Sequence, residues 1–573
     1  MLLTRVSITN FRGIPRLALR LDRTTVVIGE NNHGKTSLLD VLQRCLGAPE
    51  DGERPAWEYR DFRRGPDGVV GPIRVVLGFE TGESGTQGGG GGPAPADPAF
   101  AEATVPGPDG VPRLRVEFTG DPATGAMAAR FLDGDGAPLE ITDPEAALLH
   151  LRQFHPVVAV RLAEPAEGGG LEWVTHEDRL DFDPLYGDDP EEVITQVYHR
   201  LTRTRGAIPA EEIRRGIQAV WHLRADLEDG EHGGVVGPVG SVGGLLDRFL
   251  SAAAAEGPAE RAGSGSRTLG LLLVLGSLLE ARSVTGALAG SSPIITIEEP
   301  EVHLHPMLLS STWDVIQGLR AQTLVTTNSG EFLSQVPIQD LRRLVRRSDR
   351  IDAFRLREGT LSPDALRRVT YHVRAKRGVT LFARCWLLVE GETEFWLLEA
   401  LAGVLGYDLG AEGVRCVEFA QCGVAPLVGL ANDLGIEWHL VSDGDDAGVA
   451  FAADAAAQVS KRRRHDHVTR LERRNIEMLL WDHGYQDVFL QAAGLPVPGP
   501  GTPAAEEHPN PRKVVERAVR AHSKPYLAIR VAEECARRGP DGVPEPLRRV
   551  VETCVRLARA AVSDGFGREP SRG

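Results

Sequence analysis

Two groups of side chains in this chain have the types and spacing to do chemistry. The first is Gly29-Glu30-Asn31-Asn32-His33-Gly34-Lys35-Thr36-Ser37. The glycines let backbone N–H groups turn inward to cradle phosphates, Lys35 places a cation on the β- and γ-phosphates, and the Thr36 hydroxyl can ligate Mg²⁺. Asn31, Asn32 and Ser37 complete the loop and the first helical turn. Far downstream, Glu298-Glu299-Pro300-Glu301 supplies carboxylates: Glu298 for the Mg²⁺ shell, and Glu299 to orient or deprotonate an attacking water.

The second group is Glu390-Gly391-Glu392-Thr393-Glu394 followed, about fifty residues on, by Asp443-Gly444-Asp445-Asp446-Ala447-Gly448. Clustered carboxylates are costly unless cations neutralise them, and hard oxygen ligands select Mg²⁺ or Mn²⁺. Glu390, Glu394, Asp443 and Asp445 are therefore candidate metal ligands. Glu477, after Arg473-Arg474-Asn475-Ile476, can complete a second metal site, and Lys524, in Ser523-Lys524-Pro525, can stabilise the charge of a pentavalent phosphate. Taken alone, Glu477 reads first as a helix-end charge and Lys524 as a solvated lysine, and only the surrounding motifs favour the functional reading.

The elements needed to position these groups are legible around them. Residues 24–28 form a short buried strand before the first loop, and the apolar pattern from Leu38 to Leu42 a helix after it, which is the context a P-loop requires. Residues 294–297 make a second buried strand, of Walker B type, ending in the glutamates. Residues 324–327 make a third, leading to Asn328. Strands over 386–389 and 438–442 end in the second carboxylate group, and in an open parallel sheet such edges meet in one crevice.

Gly263-Ser264-Gly265-Ser266-Arg267 opens an apolar helix about thirty residues before the second strand. It resembles the ABC signature, in which Ser264 and Gly265 would bind the γ-phosphate of a nucleotide held by another subunit; a flexible linker is the alternative. Asn328 stands where related ATPases place a switch histidine. It can donate a hydrogen bond but carries no charge, so slow hydrolysis is expected, with ATP binding doing more of the regulation than turnover. His303 and His305, two apart without further ligands, read as loop structure.

Length and composition set the frame. A chain of 573 residues is several times the ~150-residue prior for one domain. With 42% hydrophobic and 25% charged residues it has the balance of a soluble globular protein. No apolar run approaches the ~20 residues of a membrane helix, and the N-terminal segment lacks a signal core, so a cytoplasmic location is expected. The six cysteines are far apart and read as reduced thiols, mostly core. A net charge of −16 argues against a surface that coats nucleic acid all round, which leaves local basic runs: Lys461-Arg462-Arg463-Arg464 with Arg470, Arg473 and Arg474, or Arg342-Arg343 with Arg346-Arg347. A glycine-rich surface insertion is expected over 81–98, helices over 190–227, and a linker near 359–376.

The Glu-Gly and Asp-x-Asp elements resemble the Toprim domain of topoisomerases, primases and some nucleases. The P-loop and Glu-Glu-Pro-Glu Walker B segment joined to it resemble the OLD (overcoming lysogenization defect) family of ATP-dependent endonucleases, and residues 382–394 resemble its YbjD-type branch. The resemblance implies an α/β fold: an ABC/SMC-like P-loop ATPase head (1–185 and 261–365) with a helical dimerisation insert (186–260), followed by an α/β Toprim nuclease domain (380–573). It implies ATP and Mg²⁺ or Mn²⁺ as cofactors, metal ligation by Glu390, Glu394, Asp443, Asp445 and Glu477, and a catalytic role for Lys524. It further implies a homodimer acting on DNA, with an accessory protein as a further candidate partner and no membrane. These residues do not distinguish phage defence from DNA repair. The rival reading is an SMC-like DNA clamp or sensor that does not cleave; a topoisomerase lacks its DNA-gate tyrosine domain here, and a primase normally lacks an ABC head.

Overall fold

The computed structural model describes residues 1–47, 56–65, 68–80, 100–161, 272, 276, 292–302, 304–376, 378–459, 464–497 and 510–562. The insertion expected over 81–98, the helical insert over 186–260, Ser264, Gly265, His303 and Lys461-Arg462-Arg463 lie outside the described residues. The chain divides into two compact units, Met1–Ala353 and Phe354–Gly573.

The first unit is built on one mixed sheet. Strands β1 (Leu2–Phe11), β2 (Ile14–Arg20), β3 (Thr24–Gly29), β4 (Ile73–Glu80), β5 (Thr104–Pro106), β6 (Pro112–Gly120), β7 (Met127–Leu132), β8 (Val157–Arg161), β9 (Ile294–Glu298), β10 (Gln322–Thr326), β11 (Leu341–Arg346) and β12 (Ile351–Phe354) run in the order β5-β6-β4-β1-β2-β12-β11-β3-β10-β9-β8, with β7 on β6. From β11 to β8 every pairing is parallel, and β3, β9 and β10 are buried almost throughout, as continuous apolar strands covered on both faces must be. From β5 to β2 the pairings are antiparallel, β12 joins β2 in parallel, and β2 and β4 alternate in burial as one-sided strands do. Gln322 ties the halves together: its Oε1 accepts from Leu3 N at 2.9 Å while its Nε2 donates to Leu3 O at 2.6 Å.

The loops that matter lie at the C-terminal ends of β3, β9 and β10. Helix α1 (Lys35–Leu46) starts directly after the β3 loop and buries Leu38, Leu39, Val41 and Leu42. Arg342 and Arg343, expected as a DNA-facing run, are instead inside the unit at 1% and 5% exposure. Arg342 Nε donates to Arg20 O at 2.8 Å, and Arg342 also pairs with Asp22. Arg346 donates to Asn32 O at 3.0 Å, and Arg347 pairs with Asp352 at 3.2 Å. These guanidiniums satisfy backbone carbonyls and carboxylates that burial would otherwise orphan.

The second unit carries a four-stranded parallel sheet in the order β14-β13-β15-β16, with β13 (Cys385–Val389), β14 (Val414–Glu418), β15 (Glu437–Ser442) and β16 (Val468–Arg470). From β13 the chain passes through helix α2 (Glu392–Val404) to β14 on one side, then through α3 (Val424–Asp433) to β15 on the other. The direction of winding therefore reverses between β13 and β15, the position where open α/β sheets hold their ligands. Helices α4 (Asp446–Ala457), α5 (Ile476–Leu480), α6 (Pro511–Ala521), α7 (Lys524–Arg538) and α8 (Glu545–Val562) follow, α7 packing on α2 and α8 on β13 and β15.

The segment expected as a linker is largely a helix, Pro363–Lys376, that buries Val369 and Val373. The turn before it is clasped to α3: Asp433 accepts from Arg357 N at 2.9 Å and Thr360 Oγ1 at 2.6 Å and pairs with the Arg357 guanidinium at 2.5 Å. All six cysteines are free and buried. Among the described residues no helix is long and apolar enough to cross a membrane.

Candidate functional sites

In the first unit the β3 loop is shaped by its glycines. A Cβ on Gly29 would sit 2.8 Å from Leu344 O. Gly34 has φ +87° and would meet Ile14 Cγ1 at 2.9 Å, while Asn32, at φ +66°, takes the left-handed conformation Asn tolerates best after Gly. Asn31 and Asn32 are exposed on the loop and Ser37 lies half-buried in the first turn of α1. Lys35 Nζ donates to Gly29 O at 2.6 Å and Glu30 O at 3.2 Å. Burial lowers the Lys35 pKa, against the opposing pull of Glu299, Glu301, Glu298 and Glu30.

The structure brings the carboxylates of Glu298-Glu299-Pro300-Glu301 to that loop. Thr36 Oγ1 donates to Glu298, the last residue of β9. Glu299 sits at φ +46°, a conformation that costs energy for a residue with a Cβ, and accepts the side-chain amide of Asn328. Glu301 was not assigned a role from sequence, yet its Oε1 accepts from Thr327 Oγ1 at 2.7 Å and from Asn328 N at 3.0 Å. Burial pushes the Glu301 carboxyl upward. Glu301 thus holds Asn328 while Asn328 holds Glu299. The signal for it was present in Glu-Glu-Pro-Glu, whose last carboxylate went unread. His305 serves as a cap on Met307 N, in keeping with loop structure.

In the second unit Glu390 follows β13 directly, and Glu394 lies in the first turn of α2, where its Oε2 accepts from Gly391 N at 3.1 Å. Asp443 follows β15. Asp445 caps α4, its Oδ1 accepting from Gly448 N at 2.8 Å. Two glycines here admit no side chain: a Cβ on Gly444, between the two aspartates, would be 2.6 Å from Arg473 O, and one on Gly448, in the first turn of α4, only 2.0 Å from Asp443 O. Glu477, 2% exposed, is placed by α5, whose cap Asn475 accepts from Met478 N at 3.1 Å. Lys524 opens α7 after the Ser523 cap, its Nζ 3.4 Å from Glu477 Oε1.

The six groups act on one another. Burial first, then Glu394, Glu390, Glu477 and Asp445, push the Asp443 pKa up to about 8. Burial and Asp445 raise Glu390; burial and Glu477 raise Glu394. Burial lowers the Lys524 pKa, but Glu477, Glu394 and Asp443 outweigh it and the net shift is upward. Glu390 Oε2 is buried without a hydrogen-bond partner, and neither Glu477 oxygen has one beyond the long contact to Lys524. This donor set of five carboxylates with uncommitted oxygens fits hard divalent cations. As the side chains stand, no three His, Cys, Asp or Glu among the described residues close around a common point at ligand distance.

Of the basic candidates near this site, Arg470 and Arg474 are exposed, and Arg473 pairs with Asp482.

A P-loop head of ABC/SMC type followed by a Toprim domain is the class that these strands, loops and carboxylates define. A family model described as "Protein of unknown function (DUF2813)" matches residues 1–229 and 249–380, and one described as "Overcoming lysogenization defect protein-like, TOPRIM domain" matches 381–445. The chain is 34% identical over 576 residues to "Uncharacterized protein YbjD" of Escherichia coli (strain K12), covering 98% of this chain and 99% of that one. The chain belongs to the OLD family, on its YbjD branch. Among solved structures, the C-terminal region of the Burkholderia pseudomallei OLD protein is 17% identical with a TM-score of 0.26, covering 31% of this chain and 99% of that one. An Smc head bound to the C-winged helix domain of ScpA is 11% identical with a TM-score of 0.36, covering 62% and 99%.

Proposed function

We propose that this protein is an ATP-regulated, divalent-metal-dependent DNA endonuclease working as a homodimer. The observation that carries the reading is the mutual electrostatics of Glu390, Glu394, Asp443, Asp445 and Glu477, with Lys524 at 3.4 Å from Glu477. A purely structural set of carboxylates would be paired; this set repels itself and awaits cations.

Glu390, Glu394, Asp443, Asp445 and Glu477 would hold Mg²⁺ or Mn²⁺, which when bound activates water and neutralises the scissile phosphate. Lys524, kept protonated by its acidic neighbours, stabilises the charge that builds on the phosphate oxygens. In the head, the β3 loop and Lys35 would bind the ATP phosphates, Thr36 and Glu298 would hold the accompanying Mg²⁺, and Glu299 would orient water. A neutral Asn328 beside Glu299 favours slow turnover, with ATP occupancy as the regulatory signal.

The test is cleavage of supercoiled plasmid with Mg²⁺ or Mn²⁺, with and without ATP, by wild type, Asp443→Ala and Lys35→Ala. Nicking or linearisation that disappears in Asp443→Ala supports the nuclease, and the Lys35→Ala lane reads nucleotide gating. DNA binding without cleavage under all these conditions would sink it. That outcome would favour the rival reading, a non-cleaving DNA clamp.

A further inference from the structure

We infer that α6 and the start of α7 form a track for an unpaired DNA strand leading to Lys524, with Tyr526 as the platform on which a base stacks. This names the substrate class of the carboxylate site and rests on reading that site as one that acts on DNA.

Helix α6 is strongly amphipathic. Val514, Val515 and Ala518 are buried, while Arg512, Lys513, Arg517 and Arg520 are exposed against a single acidic residue, Glu516. Lys513, Arg517 and Arg520 fall at i, i+4 and i+7, on one face, and at ~1.5 Å per residue they extend over about 10 Å. In a chain of net charge −16 this is a concentrated cationic strip, and Arg520 is 82% exposed on its side chain. Glu516 takes Arg512 at 2.9 Å and reaches Arg520 only at 4.0 Å. Such a face binds phosphates without reading sequence.

In sequence the strip leads directly to Lys524. His522 ends α6, Ser523 caps α7, and Lys524 is its first residue. The His522 and Tyr526 rings stack with centroids 4.7 Å apart and planes at 23°, and Tyr526 is 43% exposed. The stack fixes the phenol ring on the same first turn of α7 as the lysine assigned to the phosphate, two residues along the chain. Aromatic platforms beside cationic grooves hold unpaired bases with little regard to sequence, whereas a duplex keeps its base faces to itself. The pairing of phosphate-binding cations with an open aromatic ring therefore favours a single strand, a flap or a frayed end over intact duplex.

The test uses the full chain in EDTA, so that cleavage plays no part, and fluorescein-labelled DNA of mixed sequence, about 20 nucleotides long, as a single strand or as a hairpin duplex. Anisotropy should show tighter binding to the single strand. Tyr526→Ala should lose at least about fivefold for the single strand and little for the duplex, while Tyr526→Phe retains both. Reversing Lys513, Arg517 and Arg520 to Glu should weaken both and flatten the salt dependence. Wild type preferring duplex or binding neither, an unaltered Tyr526→Ala, or an indifferent triple reversal would each overturn the inference. Binding of this kind in a protein that cuts no plasmid would count against the nuclease alone; cleavage without a Tyr526 effect would count against the track alone.

Discussion

Asn328, on the loop after β10, donates its side-chain amide to Glu299, on the loop after β9, while Glu301 accepts the Asn328 backbone N–H at 3.0 Å. The carboxylate proposed to orient water and the residue at the switch position are thus joined by a hydrogen bond whose donor carries no charge. Replacing Glu299 with Gln should lower the kcat of ATP hydrolysis by about a hundredfold or more with KM little changed. Asn328→Ala, which frees Glu299, should cost about tenfold. Steady-state phosphate release checks both; an Asn328→Ala enzyme as fast as wild type would remove the residue from any role in turnover.

Lys35 reaches Gly29 O and Glu30 O within its own loop, so its ammonium must leave two backbone carbonyls to meet phosphate. Lys35→Ala should abolish measurable binding of a fluorescent ATP analogue while leaving the thermal unfolding of the second unit in place. Retained tight binding would mean that the loop does not hold the nucleotide.

The Asp443 carboxyl, usually near 3.8, titrates at about 8 in the fold. A raised carboxylate favours the protonated folded state, so stability is full below the unfolded value and is lost as pH climbs through about 8. Without divalent metal, Tm should fall between pH 5 and pH 8.5 (roughly the window between the two values). Added Mg²⁺ or Mn²⁺ should reverse the slope, since ligation displaces the proton. Asp443→Asn should flatten the profile, raise Tm at alkaline pH in EDTA, and abolish cleavage. A metal-free Tm indifferent to pH, in wild type and mutant alike, would dissolve the cluster as a repulsive unit.

Gly448 leaves no space for a methyl group, since a Cβ there would stand 2.0 Å from Asp443 O. Gly448→Ala should destabilise the second unit by about 1–3 kcal/mol and displace Asp443. Denaturant unfolding together with cleavage reads both effects. Wild-type stability in this variant would show that the turn relaxes freely.

Much of this was legible because local pattern and chemistry coincide. The β3 loop carries its strand, glycines and helix within one short stretch, and Glu390 and Asp443 both stand at the C-terminal edges of apolar strands, which a parallel sheet must align. The OLD resemblance read from these motifs agrees with the family matches. What stayed hidden depends on tertiary neighbours. Arg342 and Arg343 look like surface charge until β11 is placed next to β3, where Arg20 O and Asp22 need donors. Glu301 looks like one acid among three until β10 delivers Thr327 and Asn328 to it. The α6 strip was passed over because its charges are spaced by the helix rather than run together.

The reversal of winding between β13 and β15 has a consequence in time. During synthesis the first carboxylates, Glu390 and Glu394, appear long before β15 inserts beside β13, and Glu477 and Lys524 come later still. Helix α8, which packs on both of those strands, is delivered after all of them. Because domains fold as units in the order they emerge, the nascent chain carries a complete β3 loop well before the carboxylates at β13 and β15 can be brought together. The β3 loop and the carboxylates after β9 are therefore all in place on a ribosome-bound chain whose second carboxylate cluster is still unassembled.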